Sequence, residues 1–353
     1  MTDLAAIEAL APAWRELADG AARAPLDSPD WLLPIARRYL RNEELRFLTW
    51  WAADQLVGVA PLTLVVKRPR LRPLRELTLW GSTGPRMRGL GDVVARSKVR
   101  KAVLDSLGAW LATNGEWDVA SIIRPQHGSI TPRRLRRRAA AAGWSYLTTA
   151  SGRSTTYQLD LPANEERWEA LVGAKKRKAM RWEVRKFGEL HGGTIETISG
   201  GPELGAAIDA VERLLRARWG ESEVYFTPDP TFRPFVHDAV SAMASHGSAW
   251  VTVARDESGI QGGLISLAQN GWAMALTIAI TNDERYRPLS LGKNLFEAGL
   301  REAIRRGCHT YDFLWQGEYK QQFWGAEPRH LETAIVGRGL VGKLAAQAVA
   351  RRL

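Results

Sequence analysis

The sequence predicts an α/β (α+β) chain made of two similar lobes, each a mixed, mostly antiparallel sheet flanked by helices. Three observations predict it. Apolar runs joined by short polar turns form a hairpin in each half. Each hairpin is followed by an amphipathic helix, and each helix runs into a strand marked by an aspartate. A repeated hairpin–helix–strand series is the pattern of a duplicated unit, and 353 residues are enough for two ordinary domains.

In the first half, LRFLTWWA, the turn Ala53-Asp54-Gln55 and LVGVAPLTLVV make the hairpin. In the second, SAWVTVA, the turn Arg255-Asp-Glu-Ser-Gly259 and IQGGLISLA repeat it, and WAMALTIAI adds a third strand. Ser97 is a predicted cap for a helix whose inward face is Val99, Val103, Leu107, Trp110 and Leu111, stopped near Gly115. Ser290 is the matching cap for a helix through Leu291, Leu295, Ala298 and Ile304, with Arg305 and Arg306 in its last turn and Gly307 beyond. The first helix leads to Asp118-Val-Ala-Ser-Ile-Ile and the second to Asp312-Phe-Leu.

Two basic helices are expected between these series. Thr131-Pro132 starts one that reaches Gly143; its five arginines, Arg133, Arg134, Arg136, Arg137 and Arg138, surround the circumference and keep it exposed. The other spans about 164–190, with Glu165, Glu166 and Glu169 near its start and Arg177, Arg181 and Arg185 on one face. The strand STTYQLDLP before it marks the linker near 150–165, giving lobes at 1–155 and 156–353.

Composition narrows the class. Hydrophobic residues make up 45% and charged residues 25%, as in ordinary globular proteins. A lone cysteine, Cys308, rules out an intramolecular disulfide framework and a cysteine-rich zinc site, and its place after Gly307 suits a small buried thiol. Six histidines show no metal-binding spacing, so no metal is expected. The first residues lack a basic segment before an apolar core, and no run approaches the ~20 apolar residues of a spanning helix, so a cytoplasmic location is expected. The net charge of +11 is uneven: residues 1–153 hold 24 Lys and Arg against 14 Asp and Glu, and residues 154–353 hold 25 against 24. Such a bias attracts phosphate-bearing partners or reflects an arginine-rich solvated surface; it does not bear on fold.

The most informative stretch is Arg287-Pro-Leu-Ser290-Leu-Gly292, with Lys293 and Asn294 opening the helix behind it. Small residues at a helix mouth let backbone N–H groups approach a phosphate, whose charge the helix dipole favours. This stretch resembles the Gln/Arg-x-x-Gly-x-Gly/Ala pyrophosphate loop of the GCN5-related N-acyltransferase (GNAT) superfamily, with serine in place of the first glycine. The continuation, Asp312-Phe-Leu-Trp-Gln-Gly-Glu-Tyr319-Lys320 followed by Phe323-Trp324-Gly325, resembles the CelD-like branch, which is related to the FemX aminoacyltransferases. The likeness runs from about Ser28-Pro-Asp-Trp31 to Ala326 and implies a tandem GNAT-like fold and the use of acyl-CoA.

Under that resemblance, Arg287, Ser290, Leu291, Gly292, Lys293 and Asn294 bind the donor pyrophosphate and the pantetheine beside it. Tyr319 is the candidate acid for a leaving thiolate, and Lys320 the candidate partner of an acyl oxyanion or a substrate phosphate. Asp312 is the candidate acceptor of the amine proton. Trp219, Tyr225 and Phe226 line the expected acceptor pocket. Acyl transfer from a thioester to an amine needs no covalent nucleophile, consistent with the absence of a Ser-His-Asp or Cys-His pattern. The reading is an N-acyltransferase acting on an amino sugar, an amino acid derivative or a small natural product. A FemX-like enzyme taking its amino acid from charged tRNA is the alternative, with the basic helices on RNA phosphate. It is weakened because the long helical hairpin expected of those enzymes is not evident. A non-enzymatic nucleic-acid binder accounts for the arginines but not for the glycine-containing loop.

Overall fold

Alternating apolar side chains and tight turns produce the first sheet. The computed structural model describes residues 1–21, 24–41, 43–67, 73–82, 91–149, 155–220, 231–314 and 318–352. Helices α1 (Leu4–Ala9), α2 (Ala11–Ala21) and α3 (Pro29–Tyr39) come first. Asp3 caps α1, and the Ser28 hydroxyl caps α3 by accepting the Asp30 N–H at 3.1 Å. The predicted hairpin follows as β1 (Glu44–Ala52) and β2 (Gln55–Lys67), antiparallel from Glu44↔Leu64 to Ala52↔Gln55. Then come β3 (Leu74–Leu79), β4 (Val94–Ala95), α4 (Arg100–Thr113), β5 (Val119–Ile122), α5 (Thr131–Ala142) and β6 (Ser145–Thr149). Helix α4 starts at Arg100 with Val99 as its cap residue and no side-chain bond there, so Ser97 is not its cap. In α5, too, the Thr131 hydroxyl donates to Asp92 at 2.6 Å instead of capping.

The second series is β7 (Thr155–Asp160), α6 (Glu165–Val172), α7 (Ala174–His191), β8 (Thr194–Ile198), α8 (Pro202–Trp219), α9 (Phe232–Ser245), β9 (Ala249–Asp256), β10 (Gly259–Gln269), β11 (Trp272–Ile280), α10 (Leu291–Arg305), β12 (Thr310–Asp312), α11 (Glu318–Trp324) and β13 (Glu327–His330). The helix expected over 164–190 is therefore two helices. Gly173, at φ 78° and ψ 145°, leaves helical geometry between them, a conformation that glycine adopts without a side-chain penalty. The second sheet has the order β13-β7-β12-β11-β10-β9-β8; β11 and β12 pair in parallel, whereas β10 with β11, β9 with β10, β8 with β9 and β7 with β12 pair antiparallel.

The chain ends in β14 (Thr333–Gly337) and α12 (Gly339–Arg352), and both belong to the first unit. One compact unit comprises 1–155 together with 329–353; the other is 156–328. Assigning all of 156–353 to one lobe is thus corrected for its last segment. The first sheet is β1-β2-β3-β5-β14-β6 with β4 on β2, so β14 lies between two strands made much earlier in the chain and pairs antiparallel with both. Ala334 and Val336 face the core with Leu62, Leu77, Val103 and Leu107, while Ile335 packs with Val119, Ala346 and Val349 under α12. Alternation along a single strand thereby fills both sides of the sheet.

Helix α12 sits close because two glycines let it. A Cβ on Gly342 would lie 2.3 Å from the Asp118 carbonyl oxygen, and one on Gly337 2.3 Å from the Gly342 carbonyl oxygen. Backbone cannot yield as a flexible side chain would. Gly342→Ala is expected to destabilise the first unit by about 1–3 kcal/mol through overpacking, seen as a lower denaturant midpoint; an unchanged midpoint would show that α12 is free to move away.

Candidate active site

The second unit's site grows from the way β11 and β12 part. They pair in parallel only over Trp272↔Thr310, Ala273↔Tyr311 and Met274↔Asp312, after which β12 stops and β11 runs on to Ile280. Its far half also carries a bulge: Ile265 of β10 faces Thr277 and Ser266 faces Ala275, so Leu276 has no partner across the ladder. A bulge bends the strand and redirects its backbone groups. Nothing in the apolar run WAMALTIAI marks that position in advance.

Beyond Ile280 the chain turns through a short 3-10 segment, Glu284–Leu289, whose start is capped by the Asp283 carboxylate. The Tyr286 hydroxyl donates to Asp256 Oδ2 at 2.6 Å, and the Asn282 side-chain amide donates to the Ala217 carbonyl at 3.1 Å, fixing this segment to β9 and to the end of α8. Burial and the Asp256 carboxylate push the Tyr286 hydroxyl up to about 12, so it stays a donor at neutral pH. Ser290 then adopts φ 46° and ψ 44°, the left-handed conformation that the glycine of the resembled loop adopts freely. It does not cap α10 with its hydroxyl. Its carbonyl accepts from Lys293 N at 2.9 Å and Asn294 N at 3.3 Å, leaving the N–H groups of Leu291 and Gly292 ahead of the first helical bonds.

That mouth opens into a cavity of about 560 Å³. Ile278, Ile280, Leu291 and Phe296 give it an apolar wall, and Arg218, Arg287, Ser290 and Tyr319 bring polar groups to it. A Cβ on Gly292 would sit 3.9 Å from Ile278 and Ile280, ordinary contact, so this glycine is not demanded by the protein's own packing. Arg287 is 81% exposed and pairs only at the surface with Glu284. An ion pair of that kind is weak, and an anionic ligand can compete for the guanidinium.

Asn294 and Lys293 occupy different places from those expected. Asn294 is buried beneath the loop, where its amide nitrogen donates to the Leu289 carbonyl at 3.0 Å and to Glu183 Oε2 at 3.1 Å. Lys293 borders the cavity, but its ammonium meets Glu183 Oε1 at 2.6 Å. Glu183 was not singled out in the sequence, although it is the one acid in KKRKAMRWEVRK.

Tyr319 of α11 is half exposed, lines the cavity and stacks on Phe323, ring centroids 5.7 Å apart. Burial, and then the Glu183 carboxylate, raise its pKa and keep the hydroxyl protonated. Lys176 of α7 anchors this helix by donating to the Phe323 carbonyl at 2.6 Å. Asp312 does not reach the cavity lining. It is fully buried at the end of β12, with Oδ2 accepting from Gln158 at 2.9 Å and Oδ1 from the Leu314 N–H at 2.7 Å. Its place is that of a structural acceptor, and its role as amine base is corrected accordingly. The side chains of Lys320 and Trp219, and Tyr225 and Phe226 altogether, lie outside the described residues. Among the described residues there is no group of three or more His, Cys, Asp and Glu placed to hold a metal, and no helix long and apolar enough to cross a membrane.

Residues 174–321 match the family model described as an acetyltransferase (GNAT) domain. No curated protein matches the sequence. Among solved structures, the fold resembles that of FemX, with TM-score 0.64, 13% identity and coverage of 96% of this chain and 98% of that one. It also resembles the C-terminal domain (DUF2156) of a protein assigned as a lysylphosphatidylglycerol synthetase from Agrobacterium fabrum, with TM-score 0.57, 13% identity and coverage of 97% and 95%. L-PGS from Bacillus licheniformis follows at TM-score 0.51, 12% identity and 91% coverage of each chain. At these identities the likeness is one of fold.

Burial raises the Asp312 carboxyl to about 6. The folded state therefore holds this proton more tightly than the unfolded chain. The resulting stabilisation is full below the ordinary aspartate value of 3.8 and is lost as pH rises through about 6. For Asp312→Asn, the fall in denaturation free energy between pH 4 and pH 7 is expected to be smaller than in the wild type by up to about 3 kcal/mol. Identical pH dependence in the two proteins would remove Asp312 as the group responsible.

Proposed function

We propose, from the match of residues 174–321 to the acetyltransferase (GNAT) domain model, that the chain moves an acyl group from acyl-CoA to an amine and holds the donor at the mouth of α10. The observation that carries this is the pair of leading N–H groups, Leu291 and Gly292, opening into a cavity beside the part of β11 that runs on past its pairing with β12. Backbone donors and the helix dipole suit a pyrophosphate, and Arg287 adds an exposed guanidinium whose only hold at the surface is the weak pair with Glu284. The apolar wall of Ile278, Ile280 and Phe296 suits the less polar arm and the acyl chain.

In this reading the amine nitrogen attacks the acyl carbon, the C–S bond breaks and the departing thiolate takes the Tyr319 proton. Tyr319 is the candidate because it lines the cavity and its hydroxyl is protonated at neutral pH, with a proton to give. The attacking amine loses its proton to solvent at the open mouth. Binding and orientation provide much of the remaining acceleration.

One feature favours an aminoacyl-tRNA donor as a second reading. Lys175, Lys178, Arg181 and Arg185 of α7 are exposed, and Trp182 stands among them at 45% exposure. Basic side chains with an aromatic between them suit a nucleic-acid backbone. Titration separates the readings: donor binding in a shaped cavity weakens modestly with salt, whereas phosphate-driven RNA binding weakens steeply.

Gly292→Asp places a carboxylate at the cavity mouth without a clash and is expected to keep the fold while lowering CoA affinity by roughly 100-fold at low salt. A folded variant with wild-type affinity by calorimetry would remove the phosphate-loop assignment. For Tyr319→Phe, turnover is expected to fall about 100-fold with little change in donor affinity; equal turnover would leave Tyr319 a packing residue.

A further inference from the structure

We propose that Glu183 is a positioning residue for the donor loop, acting through Lys293 and Asn294 to set where the loop stands and how much positive charge it presents. The proposal rests on the donor reading above. Helix α7 is basic over most of its length, yet Glu183 turns inward and is buried. A buried carboxylate is costly unless it is paired and hydrogen-bonded. Here Lys293 Nζ donates to Oε1 at 2.6 Å and Asn294 Nδ2 to Oε2 at 3.1 Å, so both oxygens are used by the first turn of α10.

The contacts extend to the loop backbone. The same Asn294 nitrogen also donates to the carbonyls of Leu289 at 3.0 Å and Ser290 at 3.4 Å. Those residues flank the left-handed turn at Ser290, a conformation that non-glycine residues take at a cost and keep only when held. Asn294 cannot reverse its amide without turning oxygen toward these acceptors, and its Oδ1 already lies buried with no partner. Glu183 therefore sits beneath the strained turn as the anchor of the residue that fixes it.

The charge matters as much as the geometry. With its ammonium paired to Glu183, the Lys293 side chain is 13% exposed, against 11% for the carboxylate. The positive group in the first turn of α10 is thus balanced before a donor arrives. Arg287, held only by an exposed and therefore weak pair with Glu284, and the N–H groups remain as the anion-binding elements open to a ligand. A mouth tuned this way binds a polyanionic donor less tightly than its residue content suggests, which favours release of the spent donor.

Calorimetric titration with CoA at low and high salt tests this. Glu183→Gln is expected to bind CoA about tenfold more tightly at low salt, because Lys293 is released toward the phosphates. The gain should shrink at high salt and in the Lys293→Met background. Asn294→Ala should lower affinity in either background. Wild-type affinity and salt dependence in Glu183→Gln, or the same gain with and without Lys293, overturns the proposal. If Glu183→Gln fails to fold, Glu183→Asp keeps the charge and shortens the reach; loss of CoA affinity is then expected, and unchanged affinity overturns the proposal. Absence of CoA binding by the wild type overturns the donor reading and this proposal together. Wild-type binding with Glu183 variants unaffected overturns this proposal alone.

Discussion

The brevity of the parallel contact between β11 and β12 governs the second unit. Three residue pairs hold the strands together, and then one stops while the other continues. Everything proposed for function lies downstream of that parting. Ile278 and Ile280 of β11 form one wall, the segment after Ile280 forms the rim, and α10 begins where the rim ends. A longer parallel ladder would satisfy the same backbone groups internally and leave nothing to offer a ligand.

Holding two strands apart requires support from elsewhere. Asp312 stops β12 by accepting the Leu314 N–H, and Gln158 of β7 holds its other oxygen. On the opposite side, Tyr286 and Asn282 secure the rim to β9 and α8. Helix α6 adds a further brace: its Trp168 stacks on Trp324 at 5.8 Å and donates to Glu297 of α10, while Arg301 joins Glu297 to Glu165. Apart from the exposed Asn282 contact, these polar contacts are buried or partly buried, where geometry is more tightly specified than at a wet surface.

Much of this architecture was legible in the residues. Both hairpins, the paired helices and the glycine-containing mouth of α10 follow from periodicity and turn chemistry. The errors have local causes. Serine was read as a cap at positions 97 and 290 because it often is one, but tertiary context gave Ser290 a backbone task instead. Gly173 was passed over because an acidic stretch before it and a basic stretch after it read together as the start and body of one long helix. Asp312 and Asn294 bear side chains fit for chemistry, and only their burial reveals that they support the backbone. Glu183 is more instructive: a single acid in a cationic helix was visible, but its partners stand 110 and 111 residues away. Long-range pairing of that kind has no local periodicity to betray it.

The return of β14 to the first sheet has a consequence for how the chain comes to be folded. The second unit is complete in sequence before the strand that joins β5 to β6 has been made. During synthesis, β5 and β6 must wait with facing edges unpaired while residues 150–332, about half of the chain, are made. Such edges are templates for pairing with other molecules, and contacts of such long sequence separation form slowly. The inserted unit can mature independently, whereas its host closes only when the final strand and helix arrive. Damage near the C-terminus would therefore be felt first in the unit that begins the protein.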